Sequence, residues 1–313
     1  MYHSPGASGH MRRVGVSRLV AQPQPDQDGA RQERQPVVLS TLALPDRCVV
    51  MGILNVTPDS FSDGGDHFET ARAIEHGLAI AAQGADIVDV GGESTRPGAR
   101  RVPAGDELSR VLPVVRELAA KGVLVSVDTT RAEVAAAAVD AGAAMVNDVS
   151  GGLADPDMAA FVAEAGIPYV AAHWRAHSIR MREHARYDDV VTAVIDELRA
   201  RLLALTAAGV APAQIVLDPG IGFAKDAEHD WEILNRLDEL HVLGRPLLVG
   251  ASRKSFLGAA VPSRSPRDRD AASAAVSALA ADAGAWCVRV HHVPSTMDAV
   301  RVAHRLRAAG SRR

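Results

Sequence analysis

Residues 124–152 read LVSVDTTRAEVAAAAVDAGAAMVNDVSGG, and this stretch holds the fold in miniature. A valine-rich run, Leu124–Thr129, turns polar at Asp128. An alanine-rich segment of helical period, Arg131–Ala141, follows and stops at Gly142, where a left-handed helix exit favours a residue without Cβ. A second apolar run, Met145–Ser150, again ends in polar residues. Strand side chains alternate. With Val125 and Val127 facing the helices, Ser126 and Asp128 point the other way, and the same parity turns Met145 and Asn147 inward.

The rhythm extends in both directions. Further strand-like runs are Val49–Val56, Asp86–Gly91, Tyr169–His173, Ile215–Pro219, Leu247–Ser252 and Cys287–His291. Helical segments include Ala71–Gln83, Asp106–Ala120 and Asp188–Ala208, and glycines mark the exits at Gly84, Gly122, Gly142, Gly166, Gly209, Gly244 and Gly284. Strands each followed by a helix give a parallel sheet with right-handed crossovers. Eight of them favour closure into an α/β fold of the (β/α)8 TIM-barrel type, with the active site at the C-terminal strand ends. Residues 37–309 are expected to form this one catalytic domain, with Val37–Pro45 as a small hairpin plugging the barrel floor. Residues 1–36 are rich in Gly, Pro, Gln, Arg and Ser without a periodic apolar face, and are expected to be a disordered extension.

Bulk composition excludes several classes. The chain has 313 residues, 47% hydrophobic and 23% charged, enough for a sizeable core under a soluble surface. A net charge of −4 gives no case for nucleic acid or a membrane surface as partner. No run approaches the roughly 18 apolar residues of a membrane span. Cys48 and Cys287 do not make a disulfide framework; reduced thiols in a cytoplasmic enzyme fit better.

Polar residues gather at the strand ends: Asn55, Asp89, Asp128, Asn147, His173, Asp218, Ser252 with Lys254, and Arg289 with His291. Any one of them could cap the next helix; a full set indicates a shared polar site. Arg289, His291 and Asn55 come from the eighth and first strands, neighbours in a closed barrel. With the helix start at Pro294-Ser295-Thr296 they describe a phosphate or pyrophosphate pocket, the alternative being Arg289 paired with a barrel carboxylate. Opposite them, Asp128, Asn147, Asp218 and Lys254 suit a flat heterocycle with N–H donors and a carbonyl. A glycosidase-like carboxylate pair is the runner-up, and it leaves the anion pocket without a purpose.

The segment MGILNVTPDSFSDGG, Met51–Gly65, closely resembles the N-terminal signature of the dihydropteroate synthase family. GGESTRPGA (91–99), DTTRAEVA (128–135), NDVSGG (147–152), DPGIGFAK (218–225), GASRKSFLG (250–258) and RVHHV (289–293) resemble that family's other motifs in order. The resemblance implies condensation of 6-hydroxymethyl-7,8-dihydropterin pyrophosphate with para-aminobenzoate, with Mg2+ and usually as a homodimer. It assigns pterin contacts to Asp128, Asn147, Asp218 and Lys254, and the pyrophosphate and Mg2+ site to Asn55, Arg289 and His291. It places Phe61 and Asp63 on one closing loop and Thr95, Arg96 and Pro97 on another. With Phe223 and Ser252 these would shape the para-aminobenzoate pocket, where sulfonamides bind in that family. Asp128, Lys254, Arg289, His291 and Asp63 are the expected catalytic set. An SN1-like displacement follows, because pyrophosphate loss leaves a pterin-stabilised cation and the weakly basic arylamine needs no strong general base.

Some features depart from the pattern or stand outside it. His292 replaces a usually acidic residue and by parity points away from Arg289 and His291. The basic segment 173–186 reads as a solvated loop or lid, a metal cluster of His173, His177 and His184 being the weaker alternative. Asp89 reads as a structural barrel residue. A non-catalytic pterin-binding paralogue and a pterin-dependent methyltransferase domain are the competing functional readings.

Overall fold

The computed structural model describes residues 1, 39, 42–57, 66–94, 101–177, 180–262 and 265–310. The chain divides into two units, Met1–Glu33 and Arg34–Arg313, and every element below belongs to the second. The expected disorder of 1–36 concerns a segment lying, apart from Met1, outside the described residues.

The strands are β1 Val49–Asn55, β2 Ile87–Gly91, β3 Val125–Asp128, β4 Met145–Asp148, β5 Tyr169–Ala172, β6 Ile215–Asp218, β7 Leu248–Val249 and β8 Cys287–Val290. The helices are α1 Asp66–Ala82, α2 Ala104–Ala120, α3 Ala132–Asp140, α4 Met158–Ala165, α5 Val190–Ala207, α6 Ala227–Asn235, the single turn α7 Leu257–Ala260, α8 Asp270–Asp282 and α9 Val293–Gly310. The sheet order is β6-β5-β4-β3-β2-β1-β8-β7, all pairs parallel, and a parallel bridge between Leu217 and Leu247 brings β6 to the start of β7. That is a (β/α)8 barrel. All seven exit glycines have positive φ, from 63° at Gly244 to 112° at Gly142.

Alternation sorts the core into two layers. Val50, Val88, Val125, Val127, Val146, Ile215, Leu217, Val249 and Val288 pack outward beneath the helices. Val49, Met51, Ile87, Met145, Val170, Val216, Leu248 and Cys287 fill the lumen. Each fully buried aliphatic chain contributes roughly 2 kcal/mol against exposure, so a one-residue slip of any strand would exchange these sets at prohibitive cost. The lumen is therefore solid below and polar only above. Leu39, Leu42 and Leu44 pack against the lumen cluster from outside the strands. Of the expected floor hairpin, residues 37, 38, 40 and 41 lie outside the described residues; the described ones, 39 and 42–45, contain no strand.

The candidate active site

Above the apolar plug, the inward positions of β2, β3, β4, β6 and β8 carry polar side chains, Asp89, Asp128, Asn147, Asp218 and Arg289. Asp89 of β2 is fully buried, and its Oδ2 accepts from Arg289 Nε at 2.6 Å and from Asn147 Nδ2 at 3.0 Å. Arg289 of β8 also donates through Nη2 to Asp128 Oδ2 of β3 at 2.7 Å. Strands 8 and 3 are not neighbours, so this guanidinium reaches across the lumen and ties β8, β2, β3 and β4 together. The sequence reading set Arg289 opposite Asp128; the structure joins them in one ion pair, because interior side chains of a small barrel converge on its axis. Burial pushes the Asp128 carboxyl up to about 7, against the lowering effect of Arg289 and with a further push from Asp89. Arg289 is held above its ordinary value by Asp89 and Asp128 despite burial.

Asp218, at the end of β6, also faces the lumen. Its Oδ1 accepts from the Gly220 amide at 2.7 Å, and a Cβ built at Gly250 would lie 3.9 Å from its Oδ2 and 4.0 Å from Arg289 Cβ. Burial raises its carboxyl, offset first by Lys254. Lys254 enters from the loop after β7, donates to the Ile221 carbonyl, and sets Nζ 4.5 Å from the centroid of the Phe223 ring. Gly222 makes this approach possible, since a Cβ there would stand 2.8 Å from Lys254 Cδ. Burial pulls the ammonium down to about 8, resisted by Asp218 and Asp230.

His291 follows β8. Its Nδ1 lies 3.0 Å from Ser252 Oγ, and its amide donates to the same oxygen at 3.2 Å. With the hydroxyl donating to Nδ1, the proton of the neutral ring sits on Nε2. Ser252, expected in the arylamine pocket, is thus engaged with His291. His292 pairs with Ser295 Oγ at 2.7 Å in the first turn of α9, at the rim.

Asn55 ends β1, next to β8, partly exposed and with no side-chain hydrogen-bond partner among the described residues. No group of three His, Cys, Asp or Glu among the described residues is arranged to hold a metal. The donor set suits Mg2+ only if most ligands are waters and substrate phosphate oxygens, the usual habit of this ion.

Phe61, Asp63, Thr95, Arg96 and Pro97 lie outside the described residues. The feet of the second loop are described and firmly held. Arg131 donates to Glu93 at 2.8 Å, to Glu107, and to the Val102 carbonyl at 2.6 Å, while Thr129 Oγ1 donates to Glu107 Oε1 at 2.7 Å. Burial raises the Glu107 carboxyl against Thr129 and Arg131.

His173 is a correction. Strand parity turns it away from the lumen, where it is buried between Glu197 Oε2 (2.9 Å from Nε2) and Lys225 Nζ (2.9 Å from Nδ1). Arg175 forks onto Glu197 and holds the carbonyls of His184 and Arg186 at 3.0 Å each, strapping the basic loop. Trp174 packs edge-on against His177 at 4.9 Å. Cys48 and Cys287 are both free, and burial pushes the Cys48 thiol up to about 12. Asp89, read from the sequence as a structural barrel residue, holds Arg289 and Asn147 in that way. Sequence reasoning passed over Lys225, which gave no signal beyond its place in a glycine-rich loop.

The pterin binding enzyme family matches residues 51–291. This chain belongs to that family. A dihydropteroate synthase of Mycobacterium leprae (strain TN) is 55% identical over 259 residues, covering 81% of this chain and 91% of that protein. The solved dihydropteroate synthase of Xanthomonas albilineans with 4-aminobenzoic acid superposes with a TM-score of 0.79 at 44% identity, covering 84% of this chain and 94% of that one. The same enzyme in complex with 7,8-dihydropteroate gives 0.76 at 42% identity, covering 84% and 95%.

Proposed function

We propose that this protein is a transferase that condenses 6-hydroxymethyl-7,8-dihydropterin pyrophosphate with para-aminobenzoate, giving 7,8-dihydropteroate and pyrophosphate. The observation that carries this reading is the Arg289 junction: one cation gripped by Asp89 and Asp128, on the lumen wall shared with Asn147, Asp218 and Lys254. The names of the relatives, and the 4-aminobenzoic acid and 7,8-dihydropteroate held by the solved ones, support it.

In the reaction the C–O bond of the pterin methylene breaks and its electron pair leaves with the diphosphate. The arylamine nitrogen then forms the C–N bond and releases a proton. Arg289, His291 through Nε2–H, and the first-turn amides of α9 face the departing charge; donors preorganised toward developing charge are usually the largest catalytic term. Mg2+ bound beside Asn55 would add Lewis-acid stabilisation to the same oxygens. Asp128, Asn147, Asp218 and Lys254 hold the pterin edge, and ionised Asp128 lowers the energy of the pterin cation. Asp63 and the two loops would close over the site and exclude water. Exposed Leu279 on α8 with Val302 and Leu306 on α9 offer an apolar face for a homodimer. We place the enzyme in the cytoplasm; no helix among the described residues is long and apolar enough to cross a membrane.

The test is pyrophosphate release by purified protein given the pterin pyrophosphate, with and without para-aminobenzoate and Mg2+. Release that requires the arylamine is expected. Binding of pterin without turnover would favour the paralogue reading, and arylamine-independent behaviour would sink the proposal.

A further inference from the structure

The loop from β6 to α6 is unusual in its backbone. Gly220, Gly222 and Ala224 all have positive φ, at 67°, 76° and 49°, and the last is a residue type for which that region is disfavoured. Such a path persists only when its surroundings over-determine it. Asp230 Oδ1 accepts from the Gly222 amide at 2.6 Å, and the Tyr187 hydroxyl donates to the Ala224 carbonyl at 3.0 Å. Asp218 and Lys254 hold the Gly220 amide and the Ile221 carbonyl, and a further tie comes from beneath. Lys225 folds back beneath its own loop, with Nζ 3.0 Å from Gly220 O, 3.1 Å from Phe223 O and 2.9 Å from His173 Nδ1.

Burial pulls the Lys225 ammonium down to about 7, resisted by Asp230 and Asp218; in its charged form it has three N–H donors, and these three acceptors use all of them. Because Nδ1 of His173 accepts, its proton sits on Nε2 and donates to Glu197, which Arg175 fixes in turn. Burial, helped by the Lys225 charge, holds the imidazole down at about 4, so this tautomer is the neutral one at physiological pH. The chain Arg175–Glu197–His173–Lys225 therefore runs from α5 to the carbonyl of Phe223, the residue whose ring meets Lys254.

We propose that Lys225 is a positioning residue for the arylamine: through the Phe223 and Gly220 carbonyls it sets the Phe223 ring against Lys254 and so fixes the wall of the pocket. This inference rests on the reaction proposed above. It differs from a general structural role in predicting an effect on one substrate.

The test is steady-state kinetics of Lys225→Met, which keeps the aliphatic stem and removes the donors. KM for para-aminobenzoate should rise about tenfold, with kcat and KM for the pterin pyrophosphate within threefold of the parent. Glu197→Gln, altering the far end on α5, should shift the same constant in the same direction by less. In a Phe223→Ala background Lys225→Met should add less than twofold, because both act through one ring. An unchanged para-aminobenzoate KM, equal rises in both KM values, or full multiplication of the Phe223 and Lys225 effects would each overturn the proposal. If Lys225→Met does not fold, Glu197→Gln decides by the same single-substrate criterion. An inactive parent protein would sink the functional reading instead, so the two failures are distinguishable.

Discussion

Replacing Asp128 by Asn should remove activity and yet stabilise the fold at neutral pH. Asp128 is 8% exposed, and burial lifts its carboxyl from 3.8 to about 7 even with Arg289 at 2.7 Å. The sign follows from linkage: an acid that holds its proton more tightly when folded costs stability as pH rises from its unfolded value to its folded one, and the loss then persists at higher pH. With 1.36 kcal/mol per pH unit, the cost of ionising this group is about 2 kcal/mol at pH 5 and about 4 kcal/mol at pH 8. Asparagine does not titrate, and its carbonyl can still accept from Arg289, though that bond loses about 1 kcal/mol of charge assistance. Relative to the parent, Asp128→Asn should therefore gain about 2–3 kcal/mol between pH 5 and pH 8. Urea unfolding followed by far-UV circular dichroism, at fixed protein concentration and both pH values, measures this. A difference between the two proteins that is flat or shrinks with pH would refute a carboxyl raised by burial. Undiminished kcat at saturating substrate would refute its role beside the cation.

Three further outcomes are expected. Tyr169→Phe should cost about 1–2 kcal/mol in unfolding assays, because the buried hydroxyl donates at 2.7 Å to Asp148 Oδ2, which keeps the Gly152 amide while its Oδ1 keeps Ser150. Gly220→Ala should destabilise by more than about 2 kcal/mol and impair turnover, since a Cβ there meets the His173 carbonyl oxygen at 2.4 Å on a backbone at φ 67°; a melting temperature equal to the parent's would contradict the loop geometry. Leu279→Glu combined with Val302→Glu should shift the protein toward monomer in sedimentation experiments, and an unaltered oligomer would place any self-association elsewhere.

The strand pattern was legible because a parallel barrel is assembled from local units whose boundaries are chemically marked. Val125 and Val127 against Ser126 and Asp128 already states which side is lumen, and Gly142 already states where α3 ends. What the chain order does not convey is reach across the lumen. Nothing local to RVHHV says that Arg289 will span to Asp128 two strands beyond its β1 neighbour. His173 misled for the opposite reason: it is polar and at a strand end, but alternation from Val170 puts it outside, where Glu197 and Lys225 satisfy it. Lys225 escaped notice because its function depends on a fold-back that the sequence records only as glycines.

The resting mouth already contains the charge arrangement that the proposed reaction requires. Removing diphosphate from the pterin methylene creates a cation and an anion a few ångströms apart in a site of low effective dielectric, where such charges are expensive unless met by fixed partners. Arg289 donates to Asp128 at 2.7 Å, so the lumen holds one unit of each sign whenever that carboxyl is ionised. In the proposed reaction the anion would meet Arg289 on the β8–β1 side and the cation would meet Asp128 on the β3 side, each protein charge gaining an opposite partner while keeping its own. Asp89, pinned by Arg289 Nε and Asn147, keeps the guanidinium oriented while its second edge is shared. A carboxyl poised near neutrality beside Arg289 suits that exchange: an empty site tolerates its protonated form, and an arriving cation draws out the ionised one.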